Sequence, residues 1–207
     1  MADSGTSDAQ VYVVDDDESA RESLEFLLDV AGIRVRSFAS ADAFLEASPP
    51  LPGACIVTDV RMPGLSGIEL TERVKERDAT VPVVVITGHA DVPLAIQAMK
   101  AGAADFIEKP FDDEAILSAI RKALQRRSEN DVLASEQSEV RERLASLSTR
   151  ESEVVEGLVA GKANKVIAFD LDISPRTVEV YRANAMMKMQ AKTLSDLVRM
   201  VTIAKLA

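Results

Sequence analysis

Five strand-like runs alternate with helical patterns over the first 126 residues, and four of those runs lead straight into a charged or hydroxyl residue. The runs are Val11–Val14, Arg34–Phe38, Ala54–Thr58, Val83–Ile86 and Asp105–Ile107. Helical patterns fall at 18–31, 41–47, 66–77, 92–101 and from 112 onward. Strands separated by helices form a parallel sheet covered on both faces. Gly32 reads as the stop of the first helix, and Leu51–Pro52–Gly53 and Met62–Pro63–Gly64 read as turns. In such a sheet the C-terminal strand ends open onto one crevice, where ligands bind.

Four strings converge on that crevice: VVDDDE (Val13 to Glu18), VTDVRMPGLSG (Val57 to Gly67), VITGHAD (Val85 to Asp91) and FIEKPF (Phe106 to Phe111). They deliver an acidic cluster, an Asp, a Thr and a Lys. These residue types suit phosphorylation of an aspartate. A carboxylate attacks a phosphoryl group poorly because two anions repel. A divalent cation held by neighbouring carboxylates removes that repulsion. Asp15, Asp16 and Asp17 offer such a site, and Mg2+ suits it because that ion takes one or two carboxylates, waters and substrate oxygens; Mn2+ fits nearly as well. A Lys neutralises phosphoryl oxygens as a point charge, and a Thr hydroxyl hydrogen-bonds one of them.

These strings and their spacing resemble the receiver domain of bacterial two-component response regulators, over residues 8 to about 126. The resemblance implies a flavodoxin-like (βα)5 fold, with a parallel sheet in the order 2-1-3-4-5. By position it makes Asp59 the phosphoryl acceptor. It makes Asp15, Asp16 and Asp59 metal ligands, with the Arg61 backbone carbonyl beside them. Thr87 becomes the switch hydroxyl, Lys109 the charge partner, and Phe106 the aromatic that swings inward on activation. Val92, Ala95, Ile96 and Met99 become the dimer face, with some of them turned to the sheet.

Composition narrows the field. Hydrophobic residues make up 47% and charged residues 28%, and no apolar run approaches the ~20 residues that span a bilayer. The leading MADSGTSDAQ is polar and acidic, unlike a signal or transit peptide. No membrane partner is expected, and the resemblance implies a cytoplasmic protein. Cys55 is the only cysteine and His89 the only histidine, which excludes an intramolecular disulfide and disfavours histidine-based metal sites or triads. Cys55 reads as a buried thiol and His89 as a loop residue. The net charge of −10 argues against nonspecific nucleic-acid binding by bulk charge. It is uneven: residues 1–126 hold 12 basic and 22 acidic side chains, and residues 147–207 hold 9 and 7.

From Phe111 to Leu147 there is no Pro or Gly, and apolar residues thin out after Leu124. Residues 127–144 are expected to be a helical linker, either a solvated helix or a weak dimer coil. Residues 145–207 form a second, all-α module. Ser148 to Glu151 has the form of a capping box. A helix to about Ala160, a short one from about Asn164 to Leu171, one opened by Ser174 with Pro175 at its first position, and one from about Thr193 follow. On a wheel of ~100° per residue, Val178, Tyr181, Ala185 and Met189 share the inner face of the third helix. Arg176, Val180, Ala183 and Met187 lie opposite.

The string ISPRTVEVYRAN within these four helices resembles the LuxR/NarL-type helix-turn-helix domain. The resemblance implies double-stranded promoter DNA as partner. It places Glu179, Val180 and Ala183 at bases and Lys165, Arg176, Thr177, Arg182 and Lys188 at phosphates or bases. An ordinary helical hairpin is the plainer reading of the same residues.

Together the two resemblances point to the FixJ/NarL class of transcription factors. ITGHADVPLAIQAMKAGAADFIEKPF and NKVIAFDLDISPRTVEVYRAN look nearest to its FixJ branch. That likeness implies phosphorylation by a FixL-like sensor histidine kinase, homodimerisation through the receiver, contact with RNA polymerase, and activation of nitrogen-fixation genes under low oxygen. It implies a non-enzymatic protein. The rival is a haloacid-dehalogenase-like phosphohydrolase, in which Asp15 of the D-x-D string would be the nucleophile and Ser19 a loose stand-in for its Thr. That rival leaves VTDVRMPG and the C-terminal module unexplained. A DNA-binding protein regulated without phosphorylation would have lost the acidic pair, the acceptor Asp or the Lys, and all are present here. A pure interaction module would have no use for the ISPRTVEVYRAN helix.

Overall fold

A computed structural model describes residues 10–89 and 92–205. The N-terminal nine residues, Ala90, Asp91 and the last two residues lie outside the described residues, and so do the ends of the expected 1–126 and 145–207 segments. The chain divides into two compact units, Met1–Asn130 and Asp131–Ala207.

The first unit runs β1 (Gln10–Val14), α1 (Glu18–Val30), β2 (Arg34–Phe38), α2 (Ala41–Ala47), β3 (Ala54–Asp59), α3 (Gly67–Arg77), β4 (Val83–Thr87), α4 (Val92–Lys100) and β5 (Asp105–Glu108). Helix α5 (Asp113–Ala145) follows. The sheet is parallel, in the order β2-β1-β3-β4-β5. Alternate residues of each strand face opposite sides, so the central strands are apolar up to their polar C-terminal ends. Tyr12, Val14, Ile56, Val83 and Val85 pack beneath Phe44, Leu70, Val74 and Ala98 of α2, α3 and α4. Val11, Val13, Val57, Val84 and Ile86 pack under Leu24 and Leu28 of α1 and Ile116 and Ile120 of α5. Each central strand thus contributes to both cores. Cys55 belongs to the second, and burial pushes its thiol up to about 12, against smaller opposing effects of Arg127 and Lys75.

The second unit holds α6 (Thr149–Val159), α7 (Asn164–Asp170), α8 (Pro175–Met189) and α9 (Leu194–Lys205). Its core joins Val154, Leu158, Ile167, Val178, Ala185, Met189 and Leu197. Gly157 lets α6 and α7 close together, since a Cβ there would stand 2.8 Å from Ile167 Cγ1. Among the described residues no helix is long and apolar enough to cross a membrane.

The two compact units meet between Asn130 and Asp131, within the stretch expected to link the domains. Arg127 is buried within the first unit, where Nη1 donates to the Ala54 carbonyl at 3.2 Å and Nη2 lies 3.5 Å from Asp78 Oδ2. Val140 is buried in the core of the second unit, with Leu144 and Leu147 packed against it. Residues 127–144 are helical, within α5. Helix α5 is a single helix, whose first part belongs to one core and whose last turns belong to the other.

Candidate functional site: an aspartate–lysine cluster and an exposed helix

Each residue of the cluster sits where a strand ends. Asp15 follows β1, Asp59 is the last residue of β3, Thr87 ends β4, and Lys109 comes directly after β5. Parallel pairing sets Asp59 beside Ile86 and Thr87 beside Glu108, so the polar ends align. The Lys109 amide donates to the Thr87 carbonyl at 2.7 Å, which fixes the start of the following loop.

Lys109 Nζ donates to Asp15 Oδ2 and to Asp59 Oδ1, each at 2.8 Å. Both carboxylates are buried, and the lysine is about a quarter exposed. Burial alone would pull the Lys109 ammonium down. The hydrogen bonds and charges of Asp15 and Asp59 outweigh it, so its pKa is raised. The remaining carboxylate oxygens are also held. Asp15 Oδ1 accepts from the Asp17 amide at 2.9 Å, and Asp59 Oδ2 accepts from the Arg61 amide at 2.6 Å.

The acidic cluster divides its work. Asp16 is exposed at the rim of the site. Asp17 instead caps α1, where its carboxylate accepts from the Ala20 amide at 3.0 Å. No group of three or more His, Cys, Asp or Glu side chains stands ready to hold a metal among the described residues. Carboxylates completed by a backbone carbonyl and water are a donor set that Mg2+ accepts.

Thr87 is buried, and its hydroxyl is engaged with its own loop. It donates to the His89 carbonyl and accepts from the His89 amide, both at 3.3 Å. Phe106 is half-buried against the core beneath α4. Two residues that no motif singled out shape this end of the sheet. A Cβ on Gly67 would collide with the Asp59 carbonyl oxygen, so the first turn of α3 lies directly on the Asp59 backbone. Arg21 grips the acidic loop from behind, donating from Nη1 to the Asp15 carbonyl at 2.8 Å and the Asp16 carbonyl at 3.1 Å. Its place one turn after Asp17 is the only signal of this role that the sequence carries.

On α4 the expectation that some dimer-face residues turn to the sheet fails. Val92, Ile96 and Met99 are exposed by 73%, 49% and 52%, and Ala95 is half-buried on the same stripe. Leu94 and Ala98, one turn apart, take the sheet side instead, and the i, i+4 spacing of that pair leaves the other face to solvent.

In the second unit Ser174 caps α8, accepting from the Thr177 amide at 3.0 Å, with Pro175 in the first turn. Val178, Ala185 and Met189 are buried and Tyr181 half-buried, as the wheel requires. Arg176, Glu179, Val180 and Ala183 are exposed on the outer face, Arg182 is half-buried, and Lys165 is exposed on α7. The Thr177 hydroxyl shares a 2.7 Å hydrogen bond with that of Ser174. Lys188 is committed inside the unit: Nζ lies 2.6 Å from Glu151 Oε2 and 3.2 Å from the Ser146 carbonyl. That pairing, with the Ser148 amide, holds the Glu151 carboxyl below the usual carboxylate range. Lys188 thus ties α8 to the capped start of α6 while its side chain stays 37% exposed.

An aspartate–lysine cluster at the strand ends of a parallel sheet, followed by a capped helix with an exposed outer face, defines a class of two-part signalling regulators. Residues 11–121 match the response regulator receiver domain, and residues 145–201 match the luxR family of bacterial regulatory proteins. The chain belongs to the response regulators that join a receiver to a LuxR-type helix-turn-helix domain and regulate transcription. It is 57% identical over 197 residues to the transcriptional regulatory protein FixJ of Azorhizobium caulinodans, covering 95% of this chain and 93% of that one. It is 52% identical to the FixJ of Bradyrhizobium diazoefficiens, covering 94% and 95%. Among solved structures, the response regulator StyR matches with a TM-score of 0.81 at 42% identity, over 94% of this chain and 98% of that one. Full-length FixJ from B. japonicum matches with a TM-score of 0.61 at 50% identity, over 98% and 100%.

Proposed function

We propose that this regulator is switched by phosphorylation of Asp59 and that the switched form dimerises and activates transcription. The observation that carries the reading is the Lys109 ammonium, 2.8 Å from both Asp15 and Asp59. Two buried carboxylates facing one ammonium leave the pocket a net anion, which favours recruitment of a divalent cation. Asp15, Asp16, Asp59 and the Arg61 carbonyl would hold Mg2+, and the same oxygen donors accept Mn2+. The bound cation would neutralise oxygens of the incoming phosphoryl group.

This chain's own residues supply the rest. A carboxylate oxygen of Asp59 bonds to phosphorus as the phosphorus–nitrogen bond of a kinase phosphohistidine breaks and the imidazole leaves. Lys109 moves its charge from Asp59 toward the new phosphoryl oxygens. Thr87, whose hydroxyl makes two 3.3 Å hydrogen bonds with His89, turns that hydroxyl to the same group, and Phe106 follows into the vacated space. The surface of α4 and β5 then changes, and Val92, Ala95, Ile96 and Met99 meet their counterparts in a second copy.

Dimerisation places two α8 helices on a two-half-site promoter, with Glu179, Val180 and Ala183 at base edges and Lys165, Arg176, Thr177 and Arg182 at phosphates or bases. Likeness to the FixJ proteins supports a FixL-like sensor kinase as donor, RNA polymerase as the recipient of the output, and nitrogen-fixation promoters under low oxygen as targets. The protein acts in the cytoplasm and is not an enzyme in its own right.

Acetyl phosphate tests the acceptor. Wild type with Mg2+ should gain one phosphoryl mass, release acetate, and lose the label to hydroxylamine, while Asp59→Asn stays unlabelled. Labelling at Asp15 instead would favour the phosphohydrolase reading.

A further inference from the structure

We infer that Arg21 is the positioning residue of the cation site: it sets the direction of the Asp16 carboxylate by clasping the backbone of the acidic loop. This inference rests on the proposed cation site. Three successive carbonyls converge on this one residue. Nη1 takes those of Asp15 at 2.8 Å and Asp16 at 3.1 Å, and the Arg21 amide takes that of Asp17 at 3.0 Å.

The peptide between Asp16 and Asp17 is held at both ends. Its carbonyl accepts from Arg21, and its N–H donates to Asp15 Oδ1 at 2.9 Å. The peptide before Asp16 is held as well, through the Asp15 carbonyl, and two planar peptides held on either side of a residue together set its φ and ψ and so its Cα–Cβ direction. Asp16 has no other anchor: its carboxylate is exposed and makes no hydrogen bond or ion pair among the described residues. Asp15 differs, since Lys109 and the Asp17 amide grip its carboxylate directly. Loss of Arg21 therefore leaves Asp15 in place and frees Asp16.

Positioning and charge act in opposite directions here. A guanidinium beside a cation site repels the cation, so a purely electrostatic role for Arg21 means that its removal tightens binding. A positioning role means that removal weakens it. Groups that orient metal ligands typically contribute about 10–100-fold in affinity.

The test titrates Mn2+ into the full chain, following free Mn2+ by electron paramagnetic resonance, for wild type, Arg21→Gln, Arg21→Lys and Asp16→Asn. Thermal unfolding without metal is measured in parallel. Arg21→Gln should bind about tenfold more weakly. Arg21→Lys, which keeps a donor on a flexible stem, should recover part of that loss. Adding Asp16→Asn to Arg21→Gln should cause little further loss, because both act through one carboxylate. Unchanged or tighter Mn2+ binding in Arg21→Gln would overturn the inference, even with a lowered unfolding temperature. A wild type that binds no Mn2+ would overturn the cation site itself, and the inference with it.

Discussion

Lys109 sets one positive charge between two buried carboxylates, and its loss leaves like charges side by side. Removing one partner of a buried pair typically costs ~3–5 kcal/mol. Lys109 is 27% exposed, so Lys109→Met should cost about 2 kcal/mol, read by urea unfolding at neutral pH. Millimolar Mg2+ should restore more stability to the variant than it adds to wild type, because the cation replaces the missing charge. The pH dependence has a definite sign. The folded-state pKa of Lys109 is raised, so its contribution is complete below the ordinary lysine pKa and disappears as pH rises through the folded value. The variant should lack the part of the alkaline stability loss that belongs to this residue. At this scale most of the site was readable, because each site residue follows an apolar run that announces its strand. Arg21 and Gly67 were not, because their roles depend on backbone atoms that α1 and α3 bring against loops, which no side-chain pattern records.

The strand and helix bounds followed the apolar periodicity to within a residue or two, from Gln10–Val14 through Asp105–Glu108, and both capping signals, at Ser148 and Ser174, open helices as read. Helix α5 was less legible. Arg127 continues the spacing of Ile116, Ile120 and Ala123, yet as a charged residue it read as the start of a linker. Burial with partners reverses that reading. Arg127→Ala leaves the Ala54 carbonyl without this donor and Asp78 without this cation, and should destabilise the first unit by about 2 kcal/mol, seen as a lower urea midpoint. The Glu151–Lys188 pair, which joins α6 to α8, spans 37 residues and has no local signal. The Glu151 pKa is depressed, chiefly by Lys188 and then by the Ser148 amide. Its contribution is therefore present above the ordinary carboxylate pKa and lost as pH falls through the folded value. Lys188→Ala should move the acid-unfolding midpoint of the second unit to higher pH, a shift that circular dichroism can follow.

The two units differ in charge as well as in fold: residues 1–130 carry a net −10, and residues 131–207 carry no net charge. A DNA-reading module with so little excess positive charge gains little from phosphate neutralisation alone. Pairing two copies raises the effective concentration of the second module at its half-site and multiplies affinity without a new contact. Regulation through assembly suits such a module, and the proposed pairing would use the exposed stripe of Val92, Ile96 and Met99. The central claim is that a phosphoryl group on Asp59 drives that assembly. Sedimentation velocity of the full chain with Mg2+ and beryllium fluoride, which mimics the phosphoryl group, tests it most directly in wild type and Asp59→Asn. A monomer-to-dimer shift in wild type, absent from Asp59→Asn, is the expected result. A wild type that stays monomeric, or an Asp59→Asn variant that dimerises equally well, would contradict it.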